Sequence, residues 1–155
     1  MNILDILSPR AIKVPLEATD KHAAIDELVD ALHRIGAIKD PQTLKKVVWE
    51  REQQRSTGIG EGLAIPHGKA NCCDHLAMAI GIPAEPIDYG AVDGKPVRML
   101  VLLASPPNKT ADHIQALGKI SRLMGNESFR RHAYEAQSAE ELFDMFKDAE
   151  TAAAM

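Results

Sequence analysis

Apolar positions along the chain switch between a two-residue and a three-to-four-residue rhythm. Ala11–Leu16 (AIKVPL) reads as a short strand, with Pro15 marking its end or an edge position, because proline brings no N–H to a sheet ladder. Ile25, Leu28, Val29 and Leu32 then recur at helical spacing, with Thr19 as the expected N-cap and Gly36 as the stop. Asp40-Pro41 opens a second helix, a capping residue followed by proline at the first helical position. It carries Leu44, Val47 and Val48 and runs to about Arg55. Ser56–Gly62 (STGIGEG) holds three glycines in seven residues and predicts a loop whose backbone can approach a neighbour closely. Leu63–Ile65 is a short apolar run ending at Pro66-His67-Gly68. Leu76–Ile82 predicts a strand, and the nearly unbroken apolar run Val97–Ala104 predicts one covered on both faces. After a loop at Ser105–Lys109, Thr110 is the expected cap of a helix carrying Ile114, Leu117, Ile120, Leu123 and Met124, stopped by Gly125. Asn126 caps a shorter helix through Phe129 and Tyr134, and Ser138-x-x-Glu141 forms a capping box before Leu142, Met145 and Phe146. Interleaved helices and strands predict an α/β (α+β) fold, a single domain with a mixed β-sheet sandwiched between helices. The folded unit is expected to span residues 1–150, with 151–155 lacking an apolar face and fraying.

Composition narrows the function classes. Eighteen Lys and Arg against 22 Asp and Glu leave a net charge of −4, which argues against a general nucleic-acid binder. The two cysteines, Cys72 and Cys73, are adjacent, a spacing that strains a mutual disulfide, so a reducing compartment is expected. No apolar stretch approaches the roughly 18–20 residues of a membrane span, and the N-terminal MNILDILSPR lacks a signal-peptide pattern. A cytoplasmic protein, peripheral to a membrane at most, is the expectation.

Three residues stand out against these elements. On a helix at about 100° per residue, Arg51 lies near 340° relative to Leu44, between Val47 and Val48 on the apolar face. It either snorkels from the helix end or faces an anion. His113 falls on the stripe of Leu117, Ile120 and Met124, in the first turn of its helix, where the dipole disfavours imidazolium and favours anions; the plainer role is a hydrogen-bonded core histidine. His67 follows an apolar run and a proline and precedes a glycine, a position suited to reacting, and near pH 7 an ordinary imidazole is largely neutral and nucleophilic. Cys72-Cys73-Asp74-His75 invites a zinc reading, but vicinal cysteines chelate one ion poorly, and no metal or other cofactor is expected. His22, His33 and His132 read as surface residues.

Ser56–Gly68, STGIGEGLAIPHG, resembles the signature of phosphotransferase-system (PTS) IIA proteins of the fructose/mannitol type, including the nitrogen-regulatory IIA branch. Glu50-Arg51-Glu52 precedes it at the family's spacing, Asp112–Leu117 (DHIQAL) resembles the second histidine motif, and Ala136–Leu142 (AQSAEEL) the start of the last helix. The resemblance implies a phosphoryl carrier that receives its group from an HPr-type phosphocarrier onto His67. Sugar-type members then pass the group to a IIB domain, whereas nitrogen-type members bind a regulatory target. It implies that His113 stabilises the phosphoryl group and that Arg51 offers its guanidinium to the oxygens. The Thr57 hydroxyl and backbone N–H groups at Thr57, Gly58, Gly60 and Gly68 would add donors. A chain of this length, with no room for a fused IIB, IIC or HPr domain, looks more like the nitrogen-regulatory branch than a sugar-transport subunit. Two other classes compete. A hydrolase would use His67 and His113 with Cys73 or Ser56, but no G-x-S-x-G elbow is present. A non-catalytic binding module would have no use for His67, Arg51 and His113 together.

Overall fold

A computed structural model describes residues 1–154. After a short 3₁₀ turn at Ile3–Asp5 come β1 (Leu7–Leu16), α1 (Lys21–Arg34), α2 (Pro41–Gln54), β2 (Gly58–Gly60), β3 (Leu63–Ala64) and β4 (His67–Lys69). Then follow β5 (Ala77–Pro83), β6 (Met99–Ser105), α3 (Thr110–Gly125), α4 (Glu127–Tyr134) and α5 (Ala139–Ala154). The strands form one six-stranded mixed sheet in the order β1-β5-β6-β3-β2. β1 runs parallel to β5, β5 antiparallel to β6, and β3 and β4 pair in succession, both parallel, along the outer side of β6. No helix among the described residues is long and apolar enough to cross a membrane.

Period-two alternation assigns the sheet's side chains to two cores. Ala77 and Ala79 of β5 and Leu100, Leu102 and Ala104 of β6 pack under α1 and α2. Met78, Ile80, Met99, Val101 and Leu103 face α3, α4 and α5 on the other side. This is why β6 reads as an unbroken apolar run: all seven of its residues are buried, some beneath each helical layer.

Several boundaries differ from expectation. Asp20, not Thr19, caps α1, its carboxylate accepting from the Ala23 N–H at 2.9 Å. Lys109 precedes α3 without a side-chain cap, and Thr110 is the first helical residue, its hydroxyl 3.5 Å from the Pro107 carbonyl. β1 begins at Leu7, but a register irregularity between Leu7 and Ile12 leaves Pro9 and Arg10 exposed and hides the alternation. Within the expected loop, Gly58–Gly60 pairs with Leu63–Ala64 as a two-stranded turn. The tail expected to fray continues α5 to Ala154, and Met155 lies outside the described residues.

Candidate functional site

The site lies at the outer edge of the sheet, where the two helical layers meet. β3 and β4 are separated by Ile65-Pro66, and this break lets the chain turn before it rejoins β6. His67 is in register with Leu103, so its side chain takes the α3 face. Gly68, in register with Ala104, takes the α2 face. A Cβ on Gly68 would lie 2.9 Å from Val47 Cγ1 and 3.0 Å from Val48 Cγ2, so the absence of a side chain lets α2 close over β4.

The half-buried His67 ring is held by one contact: Nδ1 lies 2.7 Å from the Ile65 carbonyl oxygen. A carbonyl only accepts, so Nδ1 carries the proton and the Nε2 lone pair is free. Burial lowers the His67 pKa below the usual 6.5, and the cationic Arg51 and Lys69 act in the same direction. His113, from the first turn of α3, presents its ring to His67 edge-on, with centroids 5.3 Å apart and planes at 64°. It is 4% exposed, and burial, then His67 and Lys69, bring its pKa down to about 4. Both rings are therefore neutral at pH 7.

Arg51 reaches the same opening from α2, its Nη1 donating to the Arg55 carbonyl at 2.9 Å. Arg51, His67 and Ile65 line an open cleft of about 420 Å³, together with Arg55, Ser56, Thr57, Ile59, Val92, Leu117 and Ser121. Ile59 and Val92 are 50% and 66% exposed, adding apolar surface to the rim beside the arginines.

Of the loop residues expected to donate hydrogen bonds, Thr57 and Gly58 have theirs engaged within the protein. Thr57 is buried, its N–H donating to Glu52 Oε1 at 2.9 Å and its hydroxyl to Glu52 Oε2. Glu52 also accepts from Tyr89 OH at 3.2 Å and pairs with Lys21 Nζ at 2.9 Å. Burial opposes its charge, but the Thr57 and Lys21 hydrogen bonds outweigh that and hold its carboxyl below the ordinary range. The Gly58 N–H donates to Ser56 Oγ at 3.1 Å, and a Cβ there would meet Ala91 Cβ at 2.8 Å. Gly60 has φ +111° and lies beside Asp93. The structure thus brings His67, His113 and Arg51 together, while Thr57, Gly58, Gly60 and Gly68 shape the scaffold around them.

The sequence reading gave no role to Glu52, Arg55 or Lys69, nor to Ser105, whose Oγ lies 2.6 Å from His113 Nδ1. The rotation that singled out Arg51 places Glu52 about 40° from Val48 and Arg55 about 20° from Leu44, so the same signal could have found both. Ser105 had no such signal, because its role depends on a helix that begins five residues later.

Cys72 and Cys73 are free and buried, and burial pushes the Cys73 thiol up to about 12, which keeps it protonated and unreactive. His75 is exposed, and no group of three or more metal-ligating side chains occurs among the described residues. His33 and His132 are exposed, and His22 stacks on Trp49 with centroids 4.0 Å apart.

Residues 5–149 match the family model described as phosphoenolpyruvate-dependent sugar phosphotransferase system, EIIA 2. The chain is similar to the PTS system fructose-specific EIIABC component of Bacillus subtilis, 35% identical over 145 residues. That match takes in 94% of this chain and 23% of the relative, so the chain spans less than a quarter of that protein's length. Among solved structures it resembles nitrogen regulatory protein IIA-Ntr from Neisseria meningitidis, with TM-score 0.86, 30% identity and coverage of 93% of this chain and 98% of that one. The fold is shared with enzyme IIAMTL in its complex with phosphorylated enzyme IIBMTL from Escherichia coli, with TM-score 0.77, 20% identity and coverage of 92% and 99%.

Proposed function

The chain belongs to the EIIA 2 family of the phosphoenolpyruvate-dependent sugar phosphotransferase system, and from that premise we propose that His67 is its phosphoryl carrier. The observation that carries this reading is the clamp on Nδ1 by the Ile65 carbonyl at 2.7 Å, which aims a neutral, unprotonated Nε2 at an open cleft. In transfer, the bond from phosphorus to the donor breaks and the donor keeps its electron pair. The Nε2 lone pair forms the new P–N bond. Nδ1 keeps its proton, so the ring takes up a positive charge delocalised over both nitrogens. The Ile65 carbonyl faces that charge. A ring held cationic is a good leaving group, which keeps the phosphoryl group transferable.

Arg51 and His113 supply donors to the equatorial oxygens, where charge resides in phosphoryl transfer. Arg51 comes from the α2 layer and His113 from the α3 layer, so the group is gripped from both sides of the sheet edge. The donor is an HPr-type phosphocarrier, and the onward partner is a regulatory target protein. The nitrogen-regulatory reading is supported by the likeness to IIA-Ntr across nearly the whole of that chain. The 35% identity to a fructose-specific component supports a second reading, in which a IIB domain receives the group.

Intact mass after incubation with phosphoenolpyruvate, Enzyme I and HPr-type carriers tests the carrier. The expected result is one acid-labile phosphoryl group on wild type and none on His67→Ala. Phosphorylation of a folded His67→Ala protein would remove His67 from the role. Adding a fructose- or mannitol-type IIB domain then separates the branches: retention of the group favours the regulatory reading, and its loss to IIB the transport one.

A further inference from the structure

His113 can stabilise a phosphoryl group on His67 only if it presents an N–H, and a neutral imidazole has just one, on either nitrogen. Ser105 bears on which nitrogen that is. It is the last residue of β6, fully buried, and in register with Lys69 of β4, two positions beyond His67. Its side chain therefore lies on the α3 face, and Ser105 Oγ sits 2.6 Å from His113 Nδ1. Among the described residues Ser105 Oγ has no other side-chain partner. If Nδ1 carried the proton, the Ser105 hydroxyl hydrogen would be buried with no acceptor, which costs the desolvation of an unpaired polar group. With Nδ1 unprotonated, the hydroxyl donates to it and both groups are satisfied. Among the described residues Nε2, by contrast, has no hydrogen-bond partner, and it is not among the fully enclosed unpartnered atoms.

We infer that Ser105 is a positioning residue for phosphoryl transfer, its hydroxyl fixing His113 in the Nε2–H tautomer and orienting that N–H toward the group on His67. This rests on the carrier reading above. The two histidines of the site are thus set in opposite tautomers by their neighbours. A backbone carbonyl acceptor holds His67 as Nδ1–H, and a hydroxyl donor holds His113 as Nε2–H. The first ring is left with a lone pair to attack and the second with a proton to offer. Lys69, whose Nζ is 3.4 Å from Thr110 Oγ1 at the start of α3, adds positive charge beside both rings and needs no proton from His113.

The ¹⁵N and ¹H resonances of both imidazoles at pH 7 read the tautomers directly in the unphosphorylated wild type, with no variant needed. The expected pattern is Nδ1–H for His67 and, for His113, Nε2–H with a hydrogen-bonded Nδ1. An Nδ1–H tautomer at His113 overturns the inference. Ser105→Ala removes the hydroxyl with little change of shape. The His113 Nδ1 resonance should move to that of a free acceptor nitrogen. The initial rate of phosphoryl uptake should fall on the order of tenfold, less than the roughly 10²–10³ that complete loss of a stabilising donor costs. Uptake by Ser105→Ala at the wild-type rate overturns the positioning role and leaves the carrier reading intact. Absence of uptake by the wild type itself removes both.

Discussion

At His67 the partner is a carbonyl oxygen, and at His113 it is a hydroxyl, so two chemically identical rings stand in opposite hydrogen-bonding settings. The same burial that keeps them neutral makes the fold sensitive to acid. His113 titrates near 4 in the folded chain and near 6.5 when unfolded. Between those values the unfolded state binds more protons, so stability falls as pH falls. From pH 6.5 to pH 5, above the main carboxylate range, the loss from His113 should reach roughly 1.5 kcal/mol. Urea midpoints across that interval check this. His113→Gln, which does not titrate, should flatten the slope, and an unchanged slope would place the acid sensitivity elsewhere. At this scale the sequence was informative wherever a residue broke its local pattern. Arg51 and His113 stand on apolar stripes and His67 between a proline and a glycine, and all three converge. Thr57 was misleading because nothing local says that its hydroxyl turns inward to Glu52.

At the scale of elements, the helices were legible because they repeat their apolar spacing turn after turn and most begin at a capping side chain. The Asp40, Asn126 and Ser138 caps all form, and Gly36 adopts φ +78° just past α1. β2, β3 and β4 were not legible, since strands of two or three residues are too short to show a period. They exist because β6 offers an unpaired edge and α2 covers it. The tightest part of that arrangement is Gly68. Val47 and Val48 are β-branched and stiff, so they cannot move away from an added methyl group. Gly68→Ala should destabilise the protein by about 1–3 kcal/mol. It should also slow phosphoryl uptake, because α2 carries Arg51 and would be pushed outward. Thermal unfolding and uptake rates on the same sample test both effects, and a variant with unchanged stability would contradict the close packing of α2 on β4.

Across the whole molecule, the layer of α3, α4 and α5 is tied together far from the cleft, around one buried carboxylate. Glu150 of α5 is 4% exposed, accepting from the Ile3 N–H at 3.1 Å and pairing with Lys119 Nζ of α3 at 3.0 Å. It ties the two ends of the fold to one helix, and no motif foretold this because its partners lie 31 and 147 positions away. Glu150→Ala strands a buried N–H and should cost about 1–3 kcal/mol. Phosphoryl uptake at 25 °C should stay at the wild-type rate, since no residue of the cleft is touched. A slowed rate in a fully folded sample would mean that this remote tie shapes the site. The carbonyl of Ile65 has a wider consequence. It closes one side of His67, so on the proposed carrier reading a single nitrogen would serve both for receiving and for giving. Whoever loads the protein and whoever unloads it would then have to dock on the same side, one after the other. Traffic through such a carrier would be a sequence of separate visits, and a crowd of recipients would obstruct the supplier.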